Sequence, residues 1–519
     1  MSWSSLIRLF TSGFARTRRG TSRYVVLALP LLCWLVLSQM LPPNVFAQAT
    51  LVEQSDDTGD QLIAQLWHLK LSPAPEPRPA LKYLLRPPYR MLKPGDATGN
   101  YYRALLMDAE QATELRKQYG EREQVWLSDS PASLDEMKEW VAKYQHIYNE
   151  LKIATYREHH GVDLRFRDLE GLATIEFLLP DAQRMRELAR MLRVKARIEI
   201  TEGRLDDAVE TLRVGYRLAE AAARTPTLIN DLVGIAIGSM MTDELTRLIA
   251  HPDAPNMYWA IASLPQPLID LRDGMDWESG VPWQIFPFLR DAETAVRSAE
   301  QWRQLIMDAY LNAHQLSGAY AGKPGPLDEL AATALMMKSY PLAKSALVGS
   351  GMDRDRVEAM PVGQVVAIHT ARSLSYAYDE TFKWMYLPSG QVYSRWAATE
   401  HRLRDDGYFS HGGMFRGSLP IADALLPGLS QAWFASVRLE RQLAALRTIE
   451  AIRMYAAAHD NALPSSLDMI DEALVPNDPL FEKPFEYRIE GGEAVIETLP
   501  RSEGYRQTDV YRYVIRIAR

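Results

Sequence analysis

The sequence predicts a mainly α-helical protein: a multi-helix domain, in part tetratricopeptide-like, followed by a small C-terminal α+β module of one long helix and an antiparallel sheet. Three observations carry this expectation. Between residues 101 and 426 apolar residues recur at intervals of three and four almost without a break. Proline and glycine punctuate that pattern at helix-length intervals. Alternation with period two becomes convincing only beyond Pro484.

The first 49 residues read as a transport segment. Arg8, Arg16, Arg18, Arg19 and Arg23 precede an apolar run at residues 24–41, Pro42-Pro43 breaks it, and Ala47-Gln48-Ala49 is a small-x-small cleavage site that would leave Thr50 first. An alternative address is a single-pass anchor, because the 18 residues at 24–41 just suffice to cross a bilayer. Membrane contact would then run through that segment alone. Arg18-Arg19 is followed by Gly20-Thr21 where a twin-arginine signal needs an apolar residue, and Cys33 lies behind Leu31-Leu32 where a lipoprotein signal needs a small one. Losing the five leader arginines takes the formal charge from −8 to −13. Such an acidic chain is unsuited to nucleic acid, whose binding depends on neutralising phosphates. Cys33 is the sole cysteine, so the exported chain would carry no disulfide and no thiolate.

The elements follow in order. Residues 50–80 read as an acidic and proline-rich linker: 50–60 offer nothing to bury, 61–70 suggest a short helix, and 72–80 form a stiff extended connector. Residues 81–428 make the helical domain. Ser133, with Glu136 three residues on, is a capping box opening a helix that should run to about His160 and stop at Gly161. Pro180-Asp181 should begin the next helix, and Pro226, Pro265, Pro267 and Pro326 mark others. Within 189–222, Ala196 on one helix, Gly203 at a turn, and Leu205, Ala208, Leu212 and Gly215 on a second resemble one tetratricopeptide-type unit, with no second copy near a period of 34.

Residues 429–519 form the terminal module. Leu439, Leu443, Leu446, Ile449, Ile452 and Tyr455 trace one buried stripe of a long helix, with Arg438, Glu440, Arg441, Arg447, Glu450 and Arg453 between them. The helix should stop at His459-Asp460-Asn461, with Asn461 left-handed and Pro464 barring continuation. Phe485, Tyr487 and Ile489 alternate into a turn at Gly491-Gly492, residues 494–499 return, and Tyr511, Tyr513, Ile515 and Ile517 alternate again.

Two resemblances attach to these residues. Tyr455, His459-Asp460-Asn461, Leu463-Pro464, Ser466-Leu467, Asp478-Pro479-Leu480, Lys483-Pro484-Phe485 and Tyr487 resemble the globular region of the type II secretion major pseudopilin, in which a helix ends in a tyrosine, a turn and a proline, and an Asp-Pro turn leads to the sheet. The family's N-terminal fibre helix has no counterpart, and residues 503–509 do not reproduce its calcium loop, so the resemblance implies shared architecture and no calcium site. More broadly the chain is similar to a group of exported planctomycete proteins of unassigned activity. That likeness rests on Pro79 to Tyr83 with Tyr101 to Leu105, Asn256 to Pro265 with Leu268 to Arg272, and Asp379 to Lys383 with Tyr386 to Pro388.

No catalytic, cofactor-binding or metal-binding residue emerges. His159-His160, near Glu158 and Asp163, is the densest ligand cluster, yet adjacent helical residues point about 100° apart and a helix C-terminus accounts for two imidazoles. Ser410 with Gly412 lacks the earlier glycine and the strand of a nucleophile elbow, and Lys323 lacks the frame of a phosphate loop. Trp259, Trp277, Trp283 and Trp302, with Tyr258, Phe286 and Phe288, suit a groove for sugar or peptide but more simply pack between helices. Asp270, Asp273 and Asp276 would give one helix an acidic face. The expected function is binding or scaffolding of protein partners in the cell envelope. The alternatives are a hydrolase grooved near Trp259–Trp302 with Asp270 and Asp276 as acid and base, and a secretion-fibre subunit associating through residues 439–455.

Overall fold

The computed structural model describes residues 49–55, 61–119, 122–127, 134–159, 171, 173–316, 326–406, 419, 429–498 and 511–518. Of the leader expected at 1–49, residues 1–48 lie outside them, as do Ser133, His160, Gly161, Asp163, Lys323, residues 407–413 and the loop at 503–509. The described chain is mainly helical, as its periodicity predicts. Its helices are α1 (Thr98–Tyr119), α2 (Arg122–Trp126), α3 (Leu134–Lys143), α4 (Gln145–Thr155), α5 (Ala173–Thr201), α6 (Leu205–Ala222), α7 (Leu228–Ala250), α8 (Tyr258–Ala262), α9 (Arg272–Ile285), α10 (Ala299–Leu316), α11 (Pro326–Gly349), α12 (Arg354–Ala359), α13 (Val362–Phe382), α14 (Ser389–Asp405) and α15 (Leu429–Ala458).

Helices α5, α6 and α7 pack on one another in succession. The predicted turn at Gly203 is real. Its φ of 70° lets the Gly203 and Arg204 N–H groups reach back to the carbonyls of Ile200 and Glu199, which closes α5 with two bonds. Gly215, however, faces α7 rather than α5, since a Cβ there would lie 2.1 Å from Met241 Sδ. Gly234 lets α7 lie against the end of α6, its missing Cβ falling 2.8 Å from the Ala219 carbonyl oxygen. Across α5 and α7, Glu244 is fully buried and accepts from Arg193 and Arg197. Burial alone would raise the Glu244 carboxyl, but the arginines more than offset it and hold its pKa down.

The sheet differs most from expectation. Its strands are β1 (Ala49–Ser55), β2 (Gln61–Leu71), β5 (Glu486–Glu490), β6 (Glu493–Glu497) and β7 (Tyr511–Ile517), in the order β1-β2-β7-β6-β5. Residues 61–70 are thus strand and not helix, and residues 49–55, read as having nothing to bury, pair with them antiparallel. The signal was present in the residues: Trp67, Leu69 and Leu71 are buried while His68 and Lys70 between them are exposed, which is period two. β2 runs parallel to β7, with Trp67 opposite Tyr513 and their rings stacked at 6.3 Å. Strands β5 to β7 and the turn at Gly491 and Gly492, both at positive φ, form as predicted.

Three further expectations are corrected. Two short strands, β3 (Lys93–Asp96) and β4 (Arg157–His159), pair in parallel well before Pro484. The helix expected from 134 to His160 is broken at Tyr144 and ends at Thr155, so His159 sits on a strand and the helix-terminus account of it does not apply. Helix α5 starts at Ala173 and runs through position 180 instead of beginning there.

Helix α15 is buried on more than the predicted stripe. Leu439, Leu443, Leu446, Ile449, Ile452 and Tyr455 are all in the core, and so are Arg441, Glu450 and Arg453 from the charged set. It ends in a left-handed cap: Asp460 and Asn461 both have positive φ, and the Asn461 N–H donates to the Ala456 carbonyl. The buried residues of the helices and the sheet form one continuous core, with α7 touching both α15 and β2. Among the described residues no helix is long and apolar enough to cross a membrane.

Two substitutions test this packing. Gly234→Ala meets backbone rather than a yielding side chain and is expected to cost about 1–3 kcal/mol in urea unfolding. Arg441→Met strands the buried Asp478 carboxylate and is expected to cost about 3–5 kcal/mol, whereas Arg303→Met, at an exposed pair, should leave the unfolding midpoint unmoved.

Candidate functional site

The charged residues of α15 take hold of loops. Arg453, wholly buried, donates to Glu450 Oε1 at 2.7 Å, to the Ser72 carbonyl at 2.8 Å and to the Ala254 carbonyl at 2.8 Å. Glu450 Oε2 accepts the Met257 N–H at 2.8 Å, and the Asn256 side chain donates to the Glu450 carbonyl. Arg441 grips Asp478 through Nε and Nη2, while Asp478 Oδ1 also accepts the Leu480 N–H at 2.9 Å. Glu440 Oε1 accepts the Leu268 N–H at 2.7 Å. One helix therefore positions the chain at 72–74, 254–257, 268 and 478–480.

A cleft of about 240 Å³ opens where these loops meet, between α15, the 264–266 turn and the 476–479 turn. Glu440, Leu443, Ala444 and Arg447 line it from α15 at spacings of three and four, on one helix face. Leu264, Pro265, Pro476 and Pro479 supply an apolar wall, and prolines bring no N–H to it. Burial pushes the Glu440 carboxyl up to about 7 despite the Leu268 N–H bond that favours its charged form. Arg447 makes no hydrogen bond or ion pair to a described residue; its Nε is buried without a partner and its guanidinium carbon stands 5.7 Å from the centroid of the Tyr258 ring. A charged donor and a proton-poised acceptor thus share one small cleft. Such an arrangement can hold a ligand's charges, and its lining includes no serine, cysteine or histidine to attack one.

The chain matches no family model, no curated protein and no solved structure.

The residues singled out from sequence do not converge. Asp270 precedes α9 and pairs with Arg272, while Asp273 and Asp276 are exposed on the helix itself. Trp302, Phe286 and Phe288 are core, Trp283 packs edge-on to Tyr378, and Trp259 donates its indole N–H to Glu76 at 2.6 Å. Glu158 accepts the Tyr89 hydroxyl, and among the described residues no three His, Cys, Asp or Glu are grouped to hold a metal. The face of α15 that a fibre would use is covered by this chain's own core. Between the end of α15 and β5, Tyr455 stacks on His459 at 3.9 Å and the Tyr487 hydroxyl donates to the Pro464 carbonyl.

From sequence Glu440 and Arg447 are only members of a polar stripe, because nothing local says which charges go unpaired. A second acidic site lies at the start of α7. Asp231 is 1% exposed in the first turn of α7, its Oδ2 has no hydrogen bond, and it abuts Gly274. Burial raises its pKa well above the usual carboxylate range, reinforced by Glu278, Asp270 and Asp273, and burial pushes Glu278 up to about 7. An aspartate inside the apolar run LINDLVGIAIG was the available signal.

Both groups bind protons more tightly in the folded chain than at the ordinary carboxyl value of about 4. Their contribution to stability is complete below that pH and is lost as pH rises, for Glu278 through about 7. The melting temperature should therefore fall between pH 5 and pH 7.5. Asp231→Asn should flatten that slope and raise the melting temperature at pH 7.5, as measured by calorimetry across the range.

Proposed function

We propose that this chain is an exported cell-envelope protein that works by binding or scaffolding, and that the cleft under α15 is where it engages a ligand or a protein partner. The observation that carries the reading is Arg447, a guanidinium whose Nε is buried and unpartnered beside the poised Glu440. A buried donor left unsatisfied costs free energy, and an incoming carboxylate would recover it. Export rests on the basic leader, the apolar run at 24–41 and the small-x-small site ending at Ala49. If the leader is retained, the same run is an anchor that leaves the bulk of the chain outside the cytoplasm. The acidic balance of the exported chain disfavours nucleic acid.

The test is a thermal-shift series on purified protein with small monocarboxylates, and Arg447→Gln as control. Ligand present at a hundredfold excess over Kd should add about 2.7 kcal/mol of stability. The gain should vanish in Arg447→Gln. An unmoved melting temperature, together with turnover of ester, glycoside or peptide substrates, would overturn the reading in favour of a hydrolase.

A further inference from the structure

We infer that the cleft under α15 takes a small amino-carboxylate in extended form, about the length of a dipeptide, with its carboxylate on Arg447 and its ammonium on Glu440. The inference rests on the binding reading above and specifies its ligand. Three observations carry it.

The first is size. About 240 Å³ corresponds to the liquid volume of about eight water molecules, which admits a short ligand with one modest apolar side chain. The second is spacing. Glu440 and Arg447 are seven residues apart on one helix face, about 10 Å along its axis. Their heads are drawn apart, Glu440 to the Leu268 N–H and Arg447 towards the Tyr258 ring, so neither neutralises the other. Two extended residues span about 7 Å, which lets an α-carboxylate and an α-ammonium reach one handle each. A single amino acid carries both charges on one carbon and reaches only one of them.

The third is sign and wall. One handle is cationic and the other anionic, which selects a zwitterion over a dicarboxylate or a diamine. Glu440 Oε2 makes no hydrogen bond to a described residue and is free to accept from an ammonium, while Leu264 and Leu443 flank the space between the handles. An ammonium against Glu440 favours the ionised carboxylate, so the ligand must displace a proton at low pH.

Isothermal titration of the full chain with alanyl-leucine, alanyl-leucine amide and N-acetyl-alanyl-leucine tests the assignment at pH 6 and pH 8. The free dipeptide should bind, and more tightly at pH 8. Amidation, acetylation, Arg447→Gln and Glu440→Gln should each weaken binding more than tenfold, in variants whose melting curves show them folded. Should Glu440→Gln fail to fold, the acetylated peptide reads the same contact in the unaltered chain. If the acetylated peptide binds as tightly as the free one while Arg447→Gln abolishes both, the binding reading stands and this inference falls. If no peptide binds and no carboxylate shifts the melting temperature, both fall.

Discussion

Helix α15 carries charged side chains into the core, and much of the fold is arranged to satisfy them. A buried guanidinium or carboxylate is tolerable only when its hydrogen-bonding capacity is met. Arg453 spends three donor directions on Glu450 and on the carbonyls of Ser72 and Ala254. Arg441 and Asp478 pair with both side chains nearly inaccessible. The partners are mostly backbone groups of segments with no regular structure of their own, so the helix gives those segments fixed positions that local propensity could not. Such pairs add little net stability compared with well-packed apolar side chains. Their effect here is placement, because moving a loop strands a charge.

The cleft follows from the same constraint. Loops pinned at Leu268 and Asp478 meet over α15 but carry prolines at 265, 267, 476 and 479, which have no N–H to offer. Two turns of helix below them remain uncovered, and there Arg447 finds an aromatic face in place of a carboxylate. Glu440 bonds one backbone N–H and keeps an oxygen to spare. One complementary pair of handles is thus left in a small apolar recess. Acidic residues elsewhere act differently: burial raises the carboxyls of Asp231 and Glu278, reinforced at Asp231 by the nearby Glu278, Asp270 and Asp273, which ties stability to pH.

The sheet brings the two ends of the described chain together. β2 and β7 lie side by side in parallel, so the helical body between them is one long crossover connection. Pairing of that separation comes at a high loop-closure cost and depends on the helices packing well. The row Trp67, Tyr513, Ile496 and Tyr487 crosses four strands, and its first member comes from the segment that composition assigns to a linker.

What the sequence determined by itself is what repeats or punctuates locally. The helical periodicity, the Gly203 turn, the Asp460-Asn461 cap and the Gly491-Gly492 hairpin are each a matter of a few neighbouring residues and their backbone preferences. Tertiary structure alone decided where the strand Gln61–Leu71 pairs: alternation at Trp67, Leu69 and Leu71 marks a strand, but its parallel partner lies more than four hundred residues away at Tyr511–Ile517. It alone decided, too, which charges of α15 are gripped and which are free. Arg441, Arg447 and Arg453 are alike in one dimension; their fates diverge because Asp478, Tyr258 and the carbonyls of Ser72 and Ala254 arrive from distant stretches of chain.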